Sequence, residues 1–153
     1  MKDGNYFNVI RIKGNVRGLF NSDKLSFNDI VPLEEIDEIN MIAKWKQPTD
    51  FNQKKVVERE PNEICFYGFT EANPPITLMK KLSTNSEIEE IILSYTDKTL
   101  KNGSGVLLIR KGGIFSNTKF ERETEENELF SRKLIESLDY KSNSLQLENI
   151  LNV

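Results

Sequence analysis

Residues 64–82 read Ile64-Cys65-Phe66-Tyr67-Gly68-Phe69-Thr70-Glu71-Ala72-Asn73-Pro74-Pro75-Ile76-Thr77-Leu78-Met79-Lys80-Lys81-Leu82, and their reading decides the fold. The first seven are short, apolar and aromatic, which predicts a strand over 64–70. Asn73 stands where it would cap a helix, and Ile76, Leu78, Met79 and Leu82 follow at helical spacing. A strand runs almost directly into a capped helix.

Working upstream, residues 6–13 alternate, with Tyr6, Asn8, Ile10 and Ile12 on one side and Phe7, Val9 and Arg11 on the other. This is the period of a strand, closed by Gly14. Residues 15–27 mix glycine with Asn, Ser and Asp and read mainly as loop. Pro32 precedes Leu33, Ile36, Ile39 and Ile42, and Glu34 and Glu35 lie in the same turn. Proline and acids are both favoured in a first helical turn, so a helix over 32–44 is predicted, with the isoleucines as its buried stripe. Residues 47–62 are polar, hold Pro48 and Pro61, and read as an irregular connection.

Downstream, residues 86–96 fit both periods, and their length and β-branched content favour a strand. Residues 101–105 form a turn, 106–110 a strand, Gly112-Gly113 a second turn and 114–120 a last strand. Thr124 can cap a final helix whose buried stripe is Phe130, Leu134, Ile135 and Leu138. Ser142-Asn143-Ser144 ends it, leaving a short tail. The order is strand, helix, strand, helix, three strands, helix. It predicts an α+β protein built as a ferredoxin-like split βαβ antiparallel sheet, both helices on one face, plus an extra strand and a C-terminal helix. The expected organisation is a domain over 1–120, with an acidic helix and tail over 121–153 packed on it.

Three segments taken in order resemble a known family. They are Asn8-Val9-Ile10-Arg11-Ile12-Lys13-Gly14, then Leu25-Ser26-Phe27-Asn28-Asp29-Ile30-Val31-Pro32-Leu33-Glu34-Glu35. The third runs from Phe66 to Thr70, through Pro74-Pro75-Ile76 and Lys81-Leu82-Ser83, to Tyr95-Thr96-Asp97. Together they resemble the YubB ferredoxin-like domain family, small proteins of plasmids, phages and integrated elements, over about residues 5–115. The chain departs from that pattern at Ala72, where the family places tryptophan, and at Lys44-Trp45-Lys46, which shortens a longer tryptophan-containing segment. The resemblance implies a ferredoxin-like topology and a mobile-element origin. It implies neither an iron–sulfur cluster nor an activity.

Composition limits the chemistry. The 153 residues fit one domain, and they include no histidine and one cysteine. The commonest general base and the commonest metal ligand are therefore missing together, and one thiol excludes disulfide frameworks and thiolate clusters within a chain. Residues 1–120 carry 17 basic and 16 acidic side chains, whereas residues 121–140 carry 3 and 7, so the net charge of -3 belongs to one segment. That segment reads as a solvated helix face, or as an acidic docking surface for a basic partner. No charged start followed by an apolar core marks residues 1–14 for secretion, and the longest apolar run spans only 106–109. A cytoplasmic location without membrane association is expected.

Each candidate site has a plain structural alternative. Cys65 lies among Ile64, Phe66, Tyr67 and Phe69, which favours a buried, inert thiol. Glu34, Glu35, Asp37 and Glu38 form the densest acidic cluster, expected on a solvated face with no second cluster converging on it. Gly103, Gly105, Gly112 and Gly113 read as turns, since neither pair opens a phosphate-binding helix. Phe66-Tyr67-Gly68-Phe69-Thr70 partly matches the aromatic strand of RNA-recognition motifs. On that reading Tyr67 and Phe69 stack bases on an open sheet face while Arg11, Arg110 and Lys111 contact phosphate; the alternative is core packing. The preferred expectation is a non-enzymatic module without cofactor or metal that binds protein, self or other. Single-stranded RNA or DNA binding is the second.

Overall fold

A computed structural model of the chain describes residues 6–16, 25–55, 59–97, 99 and 102–136. Five long strands dominate: β1 (Tyr6–Gly14), β4 (Glu63–Thr70), β5 (Ile88–Asp97), β6 (Ser104–Arg110) and β7 (Gly113–Phe120). Two short pieces, β2 (Asn52–Lys55) and β3 (Arg59–Glu60), precede β4. The helices are α1 (Phe27–Ile30), α2 (Glu38–Trp45), α3 (Ile76–Leu82) and α4 (Glu125–Glu136). All form around one open antiparallel sheet with strand order β2-β4-β1-β5-β6-β7, β3 lying beside β4.

The alternation read in β1 places two apolar sets on opposite faces of the central strand. Ile10 and Ile12 join Phe66, Ile91 and Leu93 beneath Leu78 and Met79 of α3 and Phe27 and Trp45 of the α1–α2 segment. Phe7 and Val9 join Cys65, Tyr67 and Phe69 in a second core closed by Phe130 and Leu134 of α4. A strand apolar on both sides requires cover on both, and helices supply it. The α+β class read from the sequence is the class observed.

The α1–α2 segment is knitted to itself before it packs. Asp50 accepts from the Phe27 amide at 2.7 Å and the Ser26 hydroxyl at 3.1 Å, holding the start of α1. The Trp45 indole N–H donates to the Val31 carbonyl at 2.8 Å, and its ring meets Phe27 edge-on at 5.9 Å. On the opposite face, Thr124 caps α4 as its sequence position predicts, accepting from the Asn127 amide at 3.2 Å. The Thr96 hydroxyl bonds Ser131, and the Ser104 hydroxyl bonds Asn127, fastening α4 to β5 and β6.

Several expectations are corrected. The helix expected over 32–44 is shorter and starts later, at Glu38. Asn28 captures the Leu33 amide at 2.9 Å, and Asp37 caps the helix by accepting from the Asn40 amide at 2.8 Å. Asn73 does not cap α3 through its side chain. Its carbonyl instead accepts from Thr70 Oγ1 at 2.6 Å and Gln47 Nε2 at 2.7 Å. The connection over 47–62 contains the edge pieces β2 and β3. Leu138 and the expected tail lie outside the described residues.

Candidate functional site

The residues singled out for base stacking do not face solvent. Tyr67 is 3% exposed and Phe69 6% exposed, and they pack with Phe7 beneath Phe130 and Leu134 of α4. The face expected to be open is covered by the C-terminal helix. An aromatic ring stacks a base only if one face of the ring is accessible, so this correction removes Tyr67 and Phe69 as a nucleic-acid platform.

The basic residues grouped with them are engaged elsewhere. Arg11 is buried and pairs with Glu63 at 3.3 Å. Glu90 of β5 bridges Lys13 at 3.4 Å and Arg110 at 2.8 Å. Burial alone would raise the Glu90 carboxyl's pKa, but hydrogen bonds and charge from Arg110 and Lys13 outweigh it and hold the pKa below the usual range. The Arg110 guanidinium also lies 5.7 Å from the centre of the Phe115 ring. Lys111 occupies the β6–β7 turn with φ of 50° and is exposed. Arg11, Lys13 and Arg110 lace neighbouring strands, and the exposed ring beside Arg110 is Phe115 rather than Tyr67 or Phe69.

Cys65 is 2% exposed in the second core, as its apolar neighbours predict. A second polar cluster surrounds Asp97, whose carboxylate accepts from the amide and hydroxyl of Thr99 and from the amide and side chain of Asn102. Burial would raise the pKa of Asp97, yet these hydrogen bonds lower it overall. Tyr6 and Tyr95 meet edge-on at 6.2 Å beside it, and burial pushes both hydroxyls up. The geometry closes the β5–β6 connection. Among the described residues no three ligating side chains converge to hold a metal ion, and no helix is long and apolar enough to cross a membrane.

Exposed large apolar side chains lie on β7 (Ile114, Phe115), on α4 (Leu129), and on and just before α2. Ile39 is 81% exposed, Ile36 65% and Ile42 47%. They were expected to be the buried stripe, and this too is corrected: α2 turns Trp45 to the sheet, 1% exposed, with Met41 partly buried beside it. Residues three apart on a helix are neighbours, so Ile39 and Ile42 lie side by side on α2 with exposed Ala43 near them, while Ile36 lies in the chain just before the Asp37 cap. A cavity of about 400 Å³ between α2 and the preceding chain is lined by Pro32, Leu33, Glu34, Glu35, Asn40 and Lys44. Glu34 and Glu35 of the acidic cluster line this cavity, and Asp37 is committed to capping. One signal was present in the sequence: Met41 and Trp45, four apart, form a second apolar stripe that competes with the isoleucines for the core.

Compared with known proteins, the chain matches no family model, no curated protein and no solved structure.

Proposed function

We propose that the chain is a non-enzymatic protein-interaction module that engages its partner through exposed Ile39 and Ile42 of α2 and Ile36 just before it. The observation that carries this reading is the exposure of Ile39 and Ile42 on α2, and of Ile36 just before it, on a helix anchored by buried Trp45. A rigidly seated helix presenting exposed apolar side chains suits docking against another apolar surface, because little conformational freedom is lost on binding. The strand order β2-β4-β1-β5, with α1–α2 and α3 sharing one face, supports reading the scaffold as a ferredoxin-like split βαβ unit. On that reading β6, β7 and α4 are additions. An accessory role in a plasmid or phage rests on the resemblance of residues 5–115 alone.

A photo-crosslinking residue at position 39, expressed in the cells from which the chain comes, tests the interface. The expected result is a discrete protein adduct that is absent when the same residue replaces exposed Thr77 on α3. Equal labelling from both positions would overturn the assignment of the interface to α2.

A further inference from the structure

We infer that the β6–β7 hairpin is a docking edge for a single-stranded polynucleotide, with the Phe115 ring stacking on a base while Arg110 and Lys111 contact flanking phosphates. This surface is separate from α2 and independent of the reading given for it.

Charge and exposure on one element carry the inference. Between Asp97 and Glu121 the sequence holds five basic side chains and no acidic one. Of these, Arg110, Lys111 and Lys119 lie exposed along the hairpin. β7 ends the sheet, so its outer edge is unpaired among the described residues, and every side chain from Ile114 to Lys119 is exposed. On its own face α4 reaches only Phe120, where Phe130 stacks.

The register places the groups together. Ser116 lies opposite Leu108 and Thr118 opposite Val106, and residues directly opposite on neighbouring strands share a face. Arg110, two positions beyond Leu108, belongs to that same face. The register shifts between Leu108 and Ile109, which leaves Phe115 as an extra residue on β7. Its ring is 64% exposed and its centre lies 5.7 Å from the Arg110 guanidinium. Glu90 Oε1 accepts from Arg110 Nε at 3.2 Å and Nη2 at 2.8 Å, fixing the guanidinium and leaving the Nη1 donors outside the pair. The Gly112 amide donates to Ser83 Oγ at 2.8 Å, which ties the turn carrying Lys111 to the end of α3. The site is thus ordered before anything binds, and little freedom is lost on docking.

The chemistry selects the occupant. An accessible ring stacks on any base, and cations beside it meet the phosphates that join one base to the next. Ser116, Asn117 and Thr118 add hydroxyl and amide groups for sugars and base edges. An apolar protein surface would leave these cations and polar groups unmatched. A duplex keeps its bases stacked on one another, so the ring requires a single strand.

Fluorescence anisotropy of the full chain with deoxythymidine and uridine oligonucleotides, each about 12 nucleotides long, tests the inference. Binding of at least one is expected, and the preferred sugar identifies DNA or RNA as the source. Phe115→Leu, which stays apolar but loses the ring, is expected to weaken binding about tenfold, while Phe115→Tyr stays within about twofold of wild type. Lys111→Gln is expected to weaken it several-fold and to make the fall of log affinity with log salt shallower by about 0.7, as for one phosphate contact on a single strand. Lys44→Gln on α2 is expected to change neither quantity. Circular dichroism melts confirm that each variant is folded. Absence of binding to both oligonucleotides at about 20 mM salt overturns the inference, as does binding that Phe115→Leu leaves unchanged. Displacement by polyglutamate as readily as by unlabelled oligonucleotide assigns the edge to an acidic protein and overturns it too.

Discussion

Ile39 and Trp45 stand six residues apart on the same two-turn helix, yet Ile39 is 81% exposed and Trp45 is 1% exposed. The indole fills the sheet-facing side of α2 and donates to the Val31 carbonyl, so the helix cannot roll to bury its isoleucines without expelling a larger ring and orphaning a hydrogen bond. The exposure of Ile39 is thus held in place by the core.

This relationship predicts opposite responses at the two positions. Ile39→Ser is expected to change the unfolding free energy by no more than ~0.5 kcal/mol. Trp45→Ala is expected to cost about 3–5 kcal/mol, the range for emptying a large aromatic site. Urea denaturation of both variants checks the contrast. Comparable losses would show that Ile39 belongs to the core.

The C-terminal helix is expected to be integral to the fold. Phe130 stacks on Phe120 with ring centroids 4.7 Å apart and lies over the second core. Phe130→Ala is expected to cost about 3–5 kcal/mol. The same variant is expected to raise hydrogen exchange at the amides of α4 before those of β1. Uniform exchange across both elements would contradict this order.

Asp97 is expected to make stability depend on acid. Its pKa is lower in the folded chain than in the unfolded chain, so its stabilising effect is complete above the unfolded value and declines as pH falls through the folded value. Asp97→Asn is expected to cost about 1.5–3 kcal/mol at neutral pH, as for hydrogen bonds to a charged acceptor. The gap between wild type and variant is expected to narrow below roughly pH 4. Thermal melts at several pH values give the comparison, and a gap that widens on acidification refutes it.

Glu90 provides a case limited by solvent screening. It pairs with Lys13 and Arg110, both of which are substantially exposed. Glu90→Gln is expected to cost only about 1 kcal/mol or less, and less still in high salt. Denaturation in low and high salt measures both effects.

Gly14 ends β1 with φ of 143°, and a Cβ there would lie 2.3 Å from the Glu87 carbonyl oxygen. Neither the backbone nor that oxygen can give way cheaply. Gly14→Ala is expected to cost more than ~1 kcal/mol, seen as a lowered unfolding midpoint. A neutral result would mean that the end of β1 rearranges freely.

The sequence by itself determined the α+β class, the order of the main strands, and the positions of α3 and the capped α4. Each of these rests on local signals: period-two alternation in β1, an aromatic run before two prolines at β4, and Thr124 ahead of an apolar stripe. It also placed Cys65 in an apolar interior through its neighbours on the strand. It did not determine which side of a helix or sheet would be covered. Periodicity marks Ile36, Ile39 and Ile42 as one stripe but carries no information on competition with Met41 and Trp45, and the tertiary structure decided that contest for the tryptophan. Similarly, Tyr67 and Phe69 lie on an open face only until α4, more than fifty residues further along the chain, folds across it. Burial is a property of what arrives from elsewhere in the chain, so only the tertiary structure could decide that the aromatic strand is core and the isoleucine helix is surface.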